Sequence, residues 1–211
     1  MRPTRPLLVS RLIPAFLALF LALGTAACGQ AEDRLQIRYA VQNEDAVYVG
    51  DNQKLELSYL RLPARTEGRE VLGILSNAFR GNRFLEYADL SSVQYVDHSA
   101  FFRCYELRGV KFGNLKTLGE YAFADCYRLE SLAFPASLEE IGYAALSGCT
   151  GLKALWFASN PELDPSFLFR QEVPDLVIYG PESGSVREFA LAHGFAFVPL
   201  SPLSGEEGGR P

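Results

Sequence analysis

The sequence predicts a right-handed solenoid, with a parallel β-sheet on one face of the coil and short helical turns on the other. Three observations support this prediction. An alanine followed by an apolar anchor recurs at spacings of 22, 22 and 23 residues. Apolar residues follow each anchor at constant offsets, the last two in the alternation of a strand. A composition of 48% apolar and 21% charged residues over 211 residues supports a core and argues against a disordered chain.

The repeat is defined by its anchors, which are Phe79, Phe101, Phe123 and Leu146. The position three residues later is occupied by Asn82, Cys104, Cys126 and Cys149. Leucines follow six residues after each anchor, at Leu85, Leu107, Leu129 and Leu152. A weaker fifth repeat has Phe167 as its anchor, with Val173, Leu176 and Ile178 at the corresponding offsets. Leu57, Leu60 and Leu62 begin the series, so the repeats are predicted over about residues 55–180.

A coil of this length is too short to bury its own apolar residues. Stacking on the next coil buries them, and stacked strands form a parallel sheet with a spacing of about 4.8 Å. The alanine before each anchor allows close approach of neighbouring coils. The sequence therefore predicts a single elongated core shared by all the coils.

The first 27 residues have the features of a signal peptide. Arg2, Arg5 and Arg11 precede an apolar run at 12–23, which is short for a membrane span. Small residues then lead to Cys28, as in a bacterial lipobox, in which this cysteine is acylated. The alternative is a plain secretory signal cleaved near Ala27. Residues 28–39 are interpreted as the lipidated cysteine and a tether.

The C-terminal residues predict a cap followed by a tail. Ser185 and Glu188 have the spacing of a capping box, and Gly194 is a helix stop signal, so a short helix is expected between them. The segment 181–200 is assigned to this helix-strand cap, and 201–211 to a flexible tail.

These motifs together resemble the BspA-like leucine-rich repeat family of bacterial surface lipoproteins. The resemblance rests on the segment from Ile141 to Phe157, with its Cys149, and on that from Leu118 to Phe134. It extends over residues 40–200 and implies a leucine-rich repeat solenoid. It also implies adhesion or host interaction, with a protein or extracellular-matrix ligand as the partner and no cofactor.

The cysteine column is the feature most suggestive of chemistry. Cys104, Cys126 and Cys149 occupy an inward repeat position, where cysteine acts as a small apolar residue, so a structural ladder of buried thiols is expected. A disulfide between adjacent coils and a hydrolase using Cys104 or Asp89 are the alternatives. No metal site is expected, because the two histidines are far apart.

Outward positions on the strands are the candidate partner-binding face. Exposed aromatic and arginine side chains dominate interface energies. The residues assigned to this face are Tyr59, Arg61, Tyr87, Asp89, Lys111 and Trp156. The same offsets place Ala133 and Val177 beside Trp156. The alternative is that this tryptophan packs under the cap or a loop. Glu86, Arg108, Glu130 and Lys153 alternate in sign on consecutive coils and are expected to form a stabilising ladder.

The function predicted from sequence is non-catalytic: a lipid-anchored cell-envelope protein that mediates protein–protein interaction or adhesion. The expected location is a bacterial membrane, at the cell surface or facing the periplasm. A periplasmic envelope scaffold is the alternative. The formal charge of −5, which becomes −8 when the three leader arginines are removed (17 − 25), argues against binding to nucleic acid.

Overall fold

Fifteen strands and one helix make up the fold in the computed structural model, which describes residues 37–41, 46–169 and 173–200. In chain order they are β1 (Tyr39–Val41), β2 (Ala46–Val49), β3 (Tyr59–Arg61), β4 (Arg65–Thr66), β5 (Arg69–Ile74), β6 (Tyr87–Leu90), β7 (Tyr95–Val96), β8 (Gly109–Phe112), β9 (Thr117–Leu118), β10 (Ser131–Phe134), β11 (Glu140–Ile141), β12 (Ala154–Phe157), β13 (Glu162–Leu163), β14 (Val177–Gly180), α1 (Ser185–Ala192) and β15 (Ala196–Pro199).

One strand from each coil contributes to a seven-stranded sheet, which we call the long sheet. Its order is β15-β14-β12-β10-β8-β6-β3, and every neighbouring pair is parallel. Each coil therefore advances by one strand, which confirms the predicted solenoid. The side chains alternate as a strand requires, so that in β10 Leu132 and Phe134 are buried while Ala133 is exposed.

A second sheet runs along another wall of the coil. The strands β5, β7, β9, β11 and β13 pair in parallel, and most of them are only two residues long. At the N-terminal end β2 pairs in parallel with β5, while β1 pairs with β2, and β4 with β5, in antiparallel fashion. This second ladder was not predicted from the sequence, since two-residue strands leave no clear alternation of apolar and polar residues.

The anchor residues form a stack along the solenoid. The ring centroids of Phe79 and Phe101 are 5.0 Å apart, those of Phe101 and Phe123 are 4.9 Å apart, and both ring pairs are nearly parallel. Leu146 continues the series and is fully buried. The prediction that the anchors fill a single shared core is confirmed.

Consecutive turns follow the second ladder in each coil, where helical turns were predicted. In one coil, Phe102 N–H donates to Ser99 within the turn, whereas Phe101 N–H and Arg103 N–H donate to the next coil. Alternate N–H groups are thus used between coils, so these turns do not continue into a regular helix. In each of these coils, the residue that directly precedes the recurring alanine of the repeat lies in the left-handed region of φ/ψ space, because the chain bends sharply there. The φ values range from 50° to 61°, and the residues are Asn77, Ser99, Tyr121 and Ala144.

The fifth repeat is shifted relative to the sequence prediction. Ile178 lies opposite Leu155 in the long sheet, and Tyr179 lies opposite Trp156. The offsets from Phe167 had placed Val177 beside Trp156, and that assignment is wrong by two residues. Phe167, Leu176 and Ile178 are nevertheless all buried, so the repeat contributes to the core.

The predicted C-terminal cap is present, but its helix begins differently. The N-cap of α1 is Gly184 and it has no side-chain cap, so the predicted capping box of Ser185 and Glu188 does not form. Ser185 Oγ instead donates to the carbonyl of Pro161, and Asn160 Nδ2 donates to that of Ser183. The preceding coil therefore supplies the polar contacts at the helix start, and β15 closes the long sheet.

Candidate partner-binding face

The outward side chains of the long sheet form two columns. Strand register defines both of them. The first contains Tyr59, Tyr87, Gly109, Ser131, Ala154, Val177 and Ala196. The second contains Arg61, Asp89, Lys111, Ala133, Trp156, Tyr179 and Val198. All six predicted face residues lie in these two columns, which is the placement expected from the repeat offsets.

The N-terminal half of the face is polar. Asp89 is only 8% exposed, and Ser91 Oγ and Ser91 N–H both donate to its Oδ1. Lys111 Nζ lies 3.6 Å from the other carboxylate oxygen. Burial, and then the Asp89 charge, raise the pKa of Tyr59, while Arg61 opposes this shift. Asp89 thus organises its neighbours, and the side chains available to a partner here are those of Arg61, Lys111 and the tyrosines.

The C-terminal half is apolar, and we call it the tryptophan patch. Trp156 and Tyr179 stack with their ring centroids 5.2 Å apart and their planes inclined by 16°. Both rings are half-buried and lie on the solvent side of the sheet. The patch consists of these two rings with the small or apolar residues around them: Ala133, Ala154, Val177, Ala196 and Val198.

Charged residues border the face at the start of the strands. Glu86 and Arg108 pair at 3.4 Å, and Glu130 and Lys153 pair at 3.2 Å. Each pair joins consecutive coils, but the described residues Arg108 and Glu130 form no ion pair, so the predicted ladder is two separate pairs. All four side chains are largely exposed, so the ladder adds only about 0–1 kcal/mol per pair.

The three cysteines are buried free thiols. Each thiol donates a hydrogen bond to an anchor carbonyl one coil back: Cys104 to Phe79, Cys126 to Phe101 and Cys149 to Phe123, with Sγ–O distances of 3.1–3.2 Å. Burial raises the pKa of Cys104 to about 12. The thiolate required of a nucleophile is therefore strongly disfavoured. The three thiols thus form a buried column along the solenoid, with no disulfide among them.

Asn82 replaces cysteine in the first full repeat and makes the corresponding contacts. Its Nδ2 donates to the carbonyl of Leu55 at 2.8 Å, and its Oδ1 accepts from Phe84 N–H and Leu85 N–H. Asn52, one coil earlier, is similarly enclosed and accepts from Arg38 N–H. The two amides hold the irregular opening coils in register.

Comparison with known proteins identifies the repeat. The BspA type Leucine rich repeat region matches residues 72–173, in six copies. Residues 72–173 are thus a leucine-rich repeat region of the BspA type. No curated protein matches the chain.

Solved structures support the BspA-type fold. A T. pallidum leucine-rich repeat protein is similar, with a TM-score of 0.61, 23% identity and coverage of 68% of each chain. The pneumococcal vaccine antigen PcpA has a TM-score of 0.53 and 14% identity, covering 73% of this chain and 44% of that one. At these identities the likeness shows the fold alone. The BspA-type chain spans less than half of the pneumococcal antigen.

Within the described ranges, the BspA-type chain lacks both a cluster of metal ligands and a membrane-spanning helix. No group of three or more His, Cys, Asp or Glu side chains is arranged to hold a metal ion. No described helix is long and apolar enough to cross a membrane. Cys28, the predicted signal peptide, most of the tether and the predicted tail at 201–211 lie outside the described residues.

Sequence reasoning missed Tyr179 as the partner of Trp156. The anchor Phe167 fixed the offsets of the last repeat, but the strand follows the anchor by two extra residues. Aligning the strands themselves, Ala154–Phe157 with Val177–Gly180, places tyrosine opposite tryptophan. In a degenerate BspA-type repeat, the strand pattern is thus a better guide to register than the anchor.

Proposed function

We propose that this protein is a non-catalytic, lipid-anchored surface protein that binds a partner macromolecule through the outward face of the long sheet. The observation that carries the proposal is the tryptophan patch. Its aromatic pair is fixed on a sheet whose opposite side is fully packed, so little side-chain freedom is lost on binding. Aromatic anchors of this kind dominate interface energies. The partner class that fits is a protein or a matrix ligand with an apolar surface.

The polar half of the face adds specificity to this proposal. Arg61 and Lys111 are exposed on either side of the buried Asp89, and Tyr59 and Tyr87 flank them. A partner covering both halves would present acidic groups here and apolar groups at the tryptophan patch. Charge complementarity of this type governs association rate and orientation more than affinity.

A non-catalytic role is supported by the state of the thiols. Cys104, the cysteine that a hydrolase would use, is buried, donates to a carbonyl and has a raised pKa. Asp89, the other residue considered, has both carboxylate oxygens engaged by Ser91 and Lys111. Neither is available to a substrate in this conformation.

Substitution of Trp156 tests the binding site. Trp156→Ala should leave folding nearly intact and weaken partner binding by about 1–2 kcal/mol, or about 5- to 30-fold. The chain without residues 1–28 serves as bait on immobilised matrix proteins and host-cell extracts. Tyr105→Ala is the matched control, because Tyr105 stacks on Tyr127 away from this face. If partner binding were weakened equally in both variants, or not weakened in Trp156→Ala, the tryptophan patch would not be the binding site.

Two further experiments test anchoring and location. Cys28→Ala should abolish partitioning into the detergent phase, and retention there would refute lipidation. Protease treatment of intact cells should degrade a surface-exposed protein. Full protection in intact cells, with digestion after permeabilisation, would favour the periplasmic scaffold.

A further inference from the structure

The opening coils carry a basic and aromatic surface that the proposed binding face does not use. We call it the opening patch, and it consists of Arg38, Lys54, Arg80, Arg83 and Phe84. All four cations are exposed, and Phe84 is 48% exposed, which is unusual for phenylalanine. The whole chain carries a net charge of −5, so this cluster stands out against an acidic protein.

Hydrogen bonds bring these residues to one end of the solenoid. Arg38 N–H donates to Asn52 Oδ1 at 3.0 Å, which ties the first described residues to the turn carrying Lys54. Asn82 Nδ2 donates to the carbonyls of Leu55 and Asn52, so the turn carrying Arg83 and Phe84 packs beside that turn.

Arg80 and its surroundings continue the same surface. The Arg80 guanidinium lies 4.8 Å from the centroid of the Phe102 ring, and its Nη1 donates to Asn77 Oδ1. These contacts hold the cation at the surface without neutralising it. A stacked guanidinium remains available to an anion.

The charges of the opening patch are not compensated by ion pairs. Among the described residues, no carboxylate pairs with any of its four cations, whereas Arg103, Arg108, Lys111, Arg128 and Lys153 each pair with an acid. Two exposed carboxylates, Asp51 and Glu56, are nearby in sequence, and Asp51 accepts from Gln53 N–H. Counting only residues that the structure describes, these four cations and two carboxylates leave a local charge of +2.

We propose that the opening patch docks on anionic lipid headgroups of the membrane that carries the anchor. This inference rests on the proposed lipidation of Cys28. Ile37 follows Cys28 by nine positions, and an extended chain spans at most about 3.6 Å per residue, so their Cα atoms are at most about 32 Å apart. The patch is therefore confined near the membrane surface, where basic residues attract anionic lipid and aromatic rings settle at the headgroup level.

The docking also has a consequence for the binding face. Contact through the opening coils would leave the tryptophan patch, at the other end of the long sheet, directed away from the attachment point. The lipid would fix the position of the protein, and the opening patch would fix its orientation.

Vesicle binding tests the inference without the lipid anchor. The chain without residues 1–28 retains the whole core, which runs from Val47 to Ala190. It is floated with phosphatidylcholine vesicles, either pure or with about 30% phosphatidylglycerol. Each basic residue contributes about fivefold, the equivalent of about 1 kcal/mol, so a net charge of +2 predicts about 25-fold tighter binding to anionic vesicles at low salt.

Matched charge reversals locate the surface. Arg80→Glu/Arg83→Glu should reduce anionic binding to the level on neutral vesicles. Lys116→Glu/Arg187→Glu, with the same change of net charge elsewhere, should retain at least half of it. If the first double variant does not fold, judged by circular dichroism, Arg83→Gln replaces it with an expected loss of about fivefold.

Three outcomes would overturn the inference. The first is equal binding of the wild-type chain to both vesicle types, in which case the patch is left to an acidic protein partner. The second is equal loss in the two double variants, and the third is no loss in either. Detergent partitioning of Cys28→Ala decides lipidation separately, so failure of the patch is distinguishable from failure of the anchor.

Discussion

Removal of the Phe123 ring is the sharpest test of how this solenoid is stabilised. The ring is fully buried in the central coils, stacks on Phe101 at 4.9 Å and meets the edge of Phe112 at 6.1 Å. Phe123→Ala loses the buried area and leaves a cavity that both neighbouring coils line, at a cost of about 3–5 kcal/mol. Lost aromatic contacts account for about 0.5–1.5 kcal/mol of this per ring pair.

Urea unfolding followed by circular dichroism measures the loss. Phe84→Ala is the control, since Phe84 is half exposed and should cost about 0.5 kcal/mol or less. Phe167→Ala should cost less than Phe123→Ala, because Phe167 belongs to the degenerate terminal coil and solenoid stability is a sum over neighbouring coils. A loss below about 1 kcal/mol for Phe123→Ala, or equal losses at both anchors, would refute this reasoning.

Other predictions concern strain, the thiols and the tryptophan. Ala144 has φ of 50°, so Ala144→Gly should stabilise by up to about 1 kcal/mol, whereas Ala145→Gly, lacking that strain, should destabilise by a similar amount in the same urea assay. Cys104 should resist alkylation at pH 8 without denaturant. Burial raises the pKa of Cys104 to about 12 in the folded protein, so between about pH 9 and pH 12 the thiol ionises only in the unfolded chain. The free energy of unfolding of the wild type should therefore fall as the pH rises from about 9 towards 12, and it should fall less steeply in Cys104→Ala. Trp156 fluorescence should be partly quenched by iodide, as its half-buried ring requires; complete protection would contradict its position on the outward face.

The sequence was sufficient to predict the regular coils. An anchor such as Phe101, a thiol such as Cys104 and a leucine such as Leu107 each face inward at every turn, and only stacking can bury them. The need to bury these positions is repeated in each coil, so several repeats of the sequence independently indicate the same geometry. The alternation along the strands then determines which residues face outward, and it placed Trp156 correctly on the solvent side.

The features that the sequence did not predict depend on backbone contacts between coils. The second ladder consists of paired two-residue strands, and the turns beside it direct alternate N–H groups to the next coil. The identity of a side chain does not indicate these backbone hydrogen bonds. Ser99, Tyr121 and Ala144, for example, share one left-handed conformation although their side chains have no chemistry in common. The start of α1 is a similar case. The local sequence predicts that Ser185 caps the helix with its own side chain, whereas the polar contacts there are made with Asn160 and Pro161 of the preceding coil.

The irregular last coil connects the fold to the proposed site. Had the strand kept the regular offset from Phe167, Val177 would lie beside Trp156, and no aromatic partner would cover that ring. The shift of two residues places Tyr179 there instead and creates the stacked pair. The regular positions of the repeat are fully committed to stacking the coils, so outward residues and local departures from the repeat are where a specific surface can arise. The departure here coincides with the stacked, half-buried aromatic pair on the outward face of the long sheet, which is why the tryptophan patch, rather than the cysteine ladder, is the place to look for a partner.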